Sequence, residues 1–392
     1  MKDYFEKPKV KRIKKRKVVI VSIILLISIF LITIVVLYNN NMQVRRWIDI
    51  HILRKEIMQN DVKKIDILDG QKSSVYAYSR YVAILNKNKL NIYNSAGANQ
   101  QTLDVEIQNP IFHSTNRFLS IAEKNGGSIY VIEDDKILWK NTVEGNISQI
   151  QINENGYVGV VIKGTTYESI IVVYDFKGKE LFKTYLSSSN TVDISISKDN
   201  KFLAVAEVDT SGTIVQSQIK VISIETAMEN PTEAIQKTYK SEADKLIINL
   251  EYNNRNKLVV MYNNSISVIE EEKENIIVDD TDKNISFKSI DLNNSIVYVN
   301  EKSSGLFTAD SYINIIELDT KKDNEYIVNS VIKELYSKGN IIAVNLGTQI
   351  EFINKDAGLV KRYIADQEIT KITVSENIGA IMYNDRIEII NL

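Results

Sequence analysis

The sequence predicts an all-β body, a β-propeller of about eight blades, behind a single N-terminal transmembrane helix, and three observations predict it. The run from Val18 to Leu37 contains no charged residue. Beyond about residue 62, short β-branched runs of period two are separated by turns rich in Asn, Asp, Gly and Ser. One strand-turn-strand phrase returns about every 40 residues, the length of one four-stranded blade.

The N-terminal elements come first. Residues 1–17 hold nine Lys or Arg against Asp3 and Glu6. At ~1.5 Å per residue, the apolar run of 18–37 crosses a hydrocarbon core of roughly 30 Å. The denser basic cluster is expected to stay cytoplasmic, which puts everything after the span outside the cell membrane. A cleaved signal peptide would have a shorter apolar region and a small-residue cleavage site, whereas Leu37 leads into Tyr38-Asn39-Asn40-Asn41. An uncleaved, single-pass signal-anchor is therefore expected. Residues 38–62 read as a juxtamembrane stalk, with Gln43–Asn60 a helix or stalk segment in which Trp47 is a packing residue or, as the alternative, an anchor at the membrane interface.

Charge and composition narrow the function classes. Removing the nine bases and two acids of residues 1–17 from totals of 48 and 50 leaves 39 bases against 48 acids. An acidic body opposes nucleic-acid binding, which needs a basic face to displace condensed counterions. With no cysteine there is no disulfide, thiolate metal site or acylation site. A body of this length with 44% hydrophobic residues supplies its own core. Heavy use of Lys, Asn and Ile suggests an AT-rich bacterial genome, and a Gram-positive cell envelope is the expected compartment.

The clearest repeat unit starts at Val192, with VDISISKDNKFLAVAEV followed by QIKVISIE and a tight turn at Asp199-Asn200. Its second strand, FLAVAE from Phe202, has counterparts starting at Tyr81, Phe118, Tyr157, Lys257, Ile296, Ile341 and Ile378. A pair of β-sandwich domains is the competing architecture, since it also gives many short strands. The last unit stops at Leu392 with three strands, and Lys63–Leu68 is a spare strand ahead of the first unit. The body, 63–392, is thus expected to close by pairing 63–68 with the last blade, which removes free sheet edges. Thr226–Ile235 is expected to lengthen the outer hairpin of the fourth unit with helical character.

SISKDNKFLAVAEV resembles the blade hairpin of WD-repeat-like and quinoprotein-like propellers. The whole layout, with phrases such as AEKNGGSIYVIEDDKILWK, SGTIVQSQIKVISIE and EKSSGLF, resembles a bacterial family of membrane-anchored propeller-type proteins, the domain of unknown function 5711. That resemblance implies the fold and no activity. The chain departs from the better-known propellers. It has only Trp47 and Trp139 and two His, so it lacks the recurrent Trp of quinoproteins and the His and Trp-Asp of WD repeats.

No catalytic constellation emerges, so no enzyme and no cofactor are expected. His51 and His113 lie far apart, which leaves zinc or copper no ligand set. There is no nucleophile elbow and no Walker-type loop. The candidate partner-binding rim comes from the sixth positions of the aligned second strands: Asn86, Glu123, Glu207, Tyr262, Glu301 and Tyr383, with Ile162 and Leu346 completing the series. Such a ring would take a cation or a basic peptide, helped by loops Lys124–Gly127, Asp209–Ser217 and Lys302–Ser311. The plainer alternative is that strand ends turn polar where they meet solvent. The leading expectation is a non-enzymatic module that binds or scaffolds an envelope protein or peptide. An envelope sensor signalling through a partner is one alternative, and a carboxylate-based glycan hydrolase is the other.

Overall fold

The computed structural model describes residues 15–57, 61–67, 72–164, 166–210, 212–243, 245–281, 284–303 and 309–392. Residues 1–14 of the basic tail, Leu68 of the spare strand and the tip of the Lys302–Ser311 loop lie outside them. The chain divides into two units, Met1–Lys55 and Glu56–Leu392.

In the first unit a helix covers Lys15–Asn40, and its stretch Val19–Asn40 is long and apolar enough to cross a membrane. Ser28 and Thr33 donate their hydroxyls to the carbonyls of Ile24 and Ile29, 2.9 Å each, so these polar groups are satisfied within the helix. The helix outruns the apolar run of 18–37 at both ends because neither flank offers Pro or Gly to stop it. Asn41 turns extended, and its side chain accepts the Val44 N–H at 3.1 Å to cap a second helix, Met42–His51. Asp49 ties the two helices together by accepting the Tyr38 hydroxyl at 2.9 Å, and Lys55 pairs with it at 3.0 Å. Trp47 is not packed as expected. It is 56% exposed, with its ring beside His51.

The second unit is an eight-bladed β-propeller, with seven sheets of four strands and one of five. In chain order the blades cover 73–104, 110–142, 146–186, 189–240, 247–279, 285–328, 334–364 and 371–391. Each runs up and down from its innermost strand to its outermost. The turns between innermost and second strands therefore share one face of the ring, here the inner-turn face. The turns between second and third strands, and the links between blades, share the other. Lys63–Asp66 is the outermost strand of the eighth blade, antiparallel to Arg386–Asn391, with Lys63 opposite Ile389 and Asp66 opposite Arg386. Glu56 and Ile57 run parallel to the outermost strand of the seventh blade. Within the stretch read as stalk, burying Ile57 and Val62 in the apolar cluster between the last two blades holds these residues to the propeller.

The core lies between blades rather than beneath them. In Tyr81–Asn86, Val82 and Ile84 pack toward the eighth blade, while Ala83 and Leu85 pack toward the second. Alternation of side chains along a strand sends successive residues to opposite neighbours, which is why the second strands are apolar throughout. Two of these boundaries also carry a buried tyrosine-carboxylate contact. Tyr326, on the outermost strand of the sixth blade, donates to Glu351 of the seventh at 2.8 Å, and Tyr363 of the seventh donates to Glu388 of the eighth. Glu388 is fully buried and also accepts from Arg386 Nε at 2.8 Å. The insertion in the fourth blade forms a short helix, Ile224–Glu229, capped by Ser223, and a single 3-10 turn, Pro231–Glu233.

Deleting Asp61–Ile67 exposes the third strand of the eighth blade, and the expected result is a melting temperature lower by roughly 5–10 °C. Glu388→Ala takes from Arg386 its one fully buried partner, leaving the more exposed Asp366 and Asp385, and removes the acceptor of the Tyr363 hydroxyl. Denaturant unfolding of this variant should show a loss of about 3–5 kcal/mol.

Candidate functional site

The six rim residues of the sequence analysis all sit at or near the ends of second strands, on the face opposite the inner turns. Their side chains are differently employed. Asn86 accepts the Ser73 hydroxyl. The Glu123 carboxylate turns back on its own blade and accepts the backbone N–H groups of Gln108 and Asn109. Glu207 is fully buried, pairs with Lys220 at 3.0 Å and accepts the Ser189 hydroxyl at 2.8 Å. Tyr262 and Tyr383 are core residues, and burial raises both phenols above their ordinary range. Glu301 is half-buried and lies opposite Ser311 in the sheet. Glu123 is thus engaged by its own backbone and Glu207 by a lysine.

A different ring lies at the channel. The penultimate residues of the eight innermost strands are Ala77, His113, Gln151, Ser195, Glu251, Asp291, Ser337 and Thr373, polar in seven of eight blades. An innermost strand is a sheet edge, and its outward N–H groups need partners. These side chains supply them from the neighbouring blade. His113 Nδ1 accepts the Ile152 N–H at 3.1 Å, Ser195 Oγ the Tyr252 N–H at 3.0 Å, and Thr373 Oγ1 the Ala77 N–H at 3.0 Å. Asp193, two residues before Ser195, accepts the Leu250 N–H at 3.0 Å and the Gln151 amide at 3.3 Å. Ser289 and Ser337 share a hydroxyl contact of 2.6 Å. The inner turns above them are joined as well. Asn153 donates to Asn200 at 2.6 Å, Lys198 N–H to Asn256 at 2.7 Å, and Asn253 to Asn294 at 2.9 Å. Asn200, Asn256 and Asn294 sit at φ of 60°, 59° and 51°, a left-handed conformation that Asn tolerates.

Within this ring Glu251 and Asp291, from adjacent blades, line the same small cavity. Burial, reinforced by Asp291, pushes the Glu251 carboxyl up to about 8, so it holds a proton at neutral pH. Burial works against the charge of Lys338, but Glu251 and Asp291 more than offset it and its pKa is raised. His113 is driven well below its usual value by burial and by Lys338, so it stays neutral, with Nδ1 as acceptor and the proton on Nε2. The cavity these groups line is about 40 Å³, room for a few waters. Beneath it Tyr76 stacks on Phe112, and Lys371 sits 4.1 Å over the Tyr76 ring. Among the described residues no group of acids and histidines is arranged to hold a metal ion.

The opposite face is open. A groove of about 1010 Å³ runs across the eighth, first and second blades, between Asn384, Lys87-Asn88 and Lys124. Ile67, Pro110 and Met382 form its floor over the buried Leu85 and Tyr383, and the blade links at Lys72-Ser73 and Gln108-Asn109 its sides. Sequence reasoning aligned the second strands and so missed both the channel ring and the groove. A register of the residues preceding each inner turn would have exposed the ring.

The sequence profile of a family of unknown function, DUF5711, matches residues 55–392, the whole propeller. The chain belongs to that family. No curated protein matches it. Among solved structures, dihydro-heme d1 dehydrogenase NirN in complex with DHE is similar at 10% identity and a TM-score of 0.50, over 83% of this chain and 73% of that one. BamB from Moraxella catarrhalis is 10% identical with a TM-score of 0.49, over 84% of this chain and all of that one. The WD40 domain of SCAP from fission yeast is 10% identical with a TM-score of 0.46, over 84% and 97%. At these identities the likeness is one of fold alone.

The channel ring generates a pH prediction. An acid bound more tightly to its proton in the folded chain contributes stability that is full below its unfolded value near 4.5 and is lost as pH rises through about 8. Glu251→Gln keeps a hydrogen-bond donor toward Asp291 without the titration. Between pH 5 and pH 8 the wild type should therefore lose on the order of 3 kcal/mol relative to this variant, measured by denaturant unfolding at each pH.

Proposed function

We propose that the protein is a membrane-anchored, extracytoplasmic propeller of the cell envelope that binds a protein or peptide and acts without chemistry of its own. The observation that carries this reading is the contrast between the two faces. The inner-turn face is laced by side-chain bonds from blade to blade around a cavity of about 40 Å³, while the other opens into a groove of about 1010 Å³ bounded by turns on a rigid scaffold. Large grooves with an apolar floor and a few polar groups are where ligands of peptide size bury enough surface to be held. The apolar helix and the basic residues before it support anchoring with the body outside.

The arrangement gives little support to a glycan hydrolase. Paired carboxyls in glycosidases stand about 5–10 Å apart around a sugar. Glu251 and Asp291 instead share a cavity of about 40 Å³, room for a few waters and not for a sugar ring.

A photo-crosslinking amino acid placed at Asn88, in the groove, should give a discrete adduct in intact cells, and one at Lys177, an exposed turn on the inner-turn face, should not. Adducts from Lys177 alone, or from neither site, would contradict the proposal.

A further inference from the structure

Resting on the peptide-binding reading, we infer that the groove takes an extended acidic segment of a partner protein, the opposite of the cation or basic peptide that the rim glutamates suggest. Three observations meet here. The first is charge. Lys72, Lys87 and Lys124 are exposed around the groove, one from each of three successive links or turns, and no Asp or Glu is among its described lining residues. None of the three makes an ion pair among the described residues. The carboxylate nearest in sequence, Glu123, is turned onto the N–H groups of Gln108 and Asn109 rather than paired with Lys124. From residue 18 onward the chain is acidic, with 39 bases against 48 acids, so a groove lined by lysines alone inverts the sign of its surroundings. At physiological salt charges are screened over about 8 Å, and an acidic ligand responds to the groove's own lysines more than to the acidic body.

The second observation is the floor. Ile67, Pro110 and Met382, half-buried over the core residues Leu85 and Tyr383, offer apolar surface between the lysines, which suits a chain that alternates acidic and apolar residues, as extended peptides do on a ridged surface. The third is the polar side groups. Asn88 and Gln108 are exposed amides at the edges, able to donate to and accept from a peptide backbone, which a purely electrostatic anion site would not need. Together they describe a groove that holds main chain and apolar side chains and selects negative charge. This is electrostatic complementarity setting partner choice, with apolar contact adding affinity.

The test uses the full chain in uncharged detergent micelles and three short fluorescein-labelled peptides, alternating Glu with Leu, Gln with Leu, and Lys with Leu, read by fluorescence anisotropy. The Glu-Leu peptide is expected to bind best and to weaken as salt is raised. The triple variant Lys72→Glu, Lys87→Glu, Lys124→Glu should lose about tenfold or more in affinity, and the corresponding Gln variant should lose less. All three positions are exposed, and unchanged circular dichroism and melting temperature verify the fold of each variant. Preference for the Lys-Leu peptide would overturn the acidic assignment while leaving a peptide groove. Failure of every peptide, with cellular adducts still forming at Asn88, would overturn the acidic assignment alone; failure of both would overturn the peptide-binding reading as well. Binding of inorganic polyphosphate by the wild type, lost in the triple variant, with no peptide bound, would overturn the peptide in favour of a phosphate polymer.

Discussion

The propeller depends on how its innermost strands satisfy their channel-side edges. Each is the last strand of its sheet, so its backbone donors point at a channel too narrow for bulk water, and a buried donor left unpaired costs about 1–3 kcal/mol. The chain answers by placing a polar side chain from one blade against the backbone of the next: His113 on Ile152, Ser195 on Tyr252, Asp193 on Leu250, and Thr373 on Ala77. The last of these joins the eighth blade to the first, where the chain itself is discontinuous around the ring. Apolar packing between blades supplies most of the burial, but it is non-directional. The hydrogen bonds fix which strand meets which.

This device divides the molecule. On the inner-turn face every blade must lean on its neighbour, and the cost is a crowded rim in which Glu251, Asp291, Lys338 and His113 are held in a small space with shifted proton affinities. On the other face the second strands end without that obligation, so their turns are free to differ. Local carboxylates there are used up internally, as Glu207 is by Lys220 and Glu123 by two backbone amides, while lysines remain exposed around the groove.

The fold class was legible because the second strand of a blade is buried on both faces, which leaves an apolar signature such as FLAVAE or YVAILN in every copy. The channel ring was not, for two reasons. Its members share a position but no residue type, since His, Gln, Ser, Glu, Asp and Thr can all meet a backbone donor. Register shifts near the start of the innermost strand, at Ile147/Gln149, Thr191/Asp193 and Ile247/Asn249, also break the spacing that would align them. The pair Glu56-Ile57 is too short to carry any period. The six-residue rim illustrates the converse limit. A carboxylate at a strand end reads the same whether it faces solvent or, like Glu207, a lysine thirteen residues on that only strand pairing brings near.

Native-state hydrogen exchange of the full chain tests most directly whether cross-blade side chains secure the inner edges. The account predicts that the amides of Ala77, Ile152, Leu250 and Tyr252, although they lie on sheet edges, exchange only as slowly as global unfolding allows. Exchange of these amides at the rate of the exposed turn at Lys87-Asn88 would contradict it.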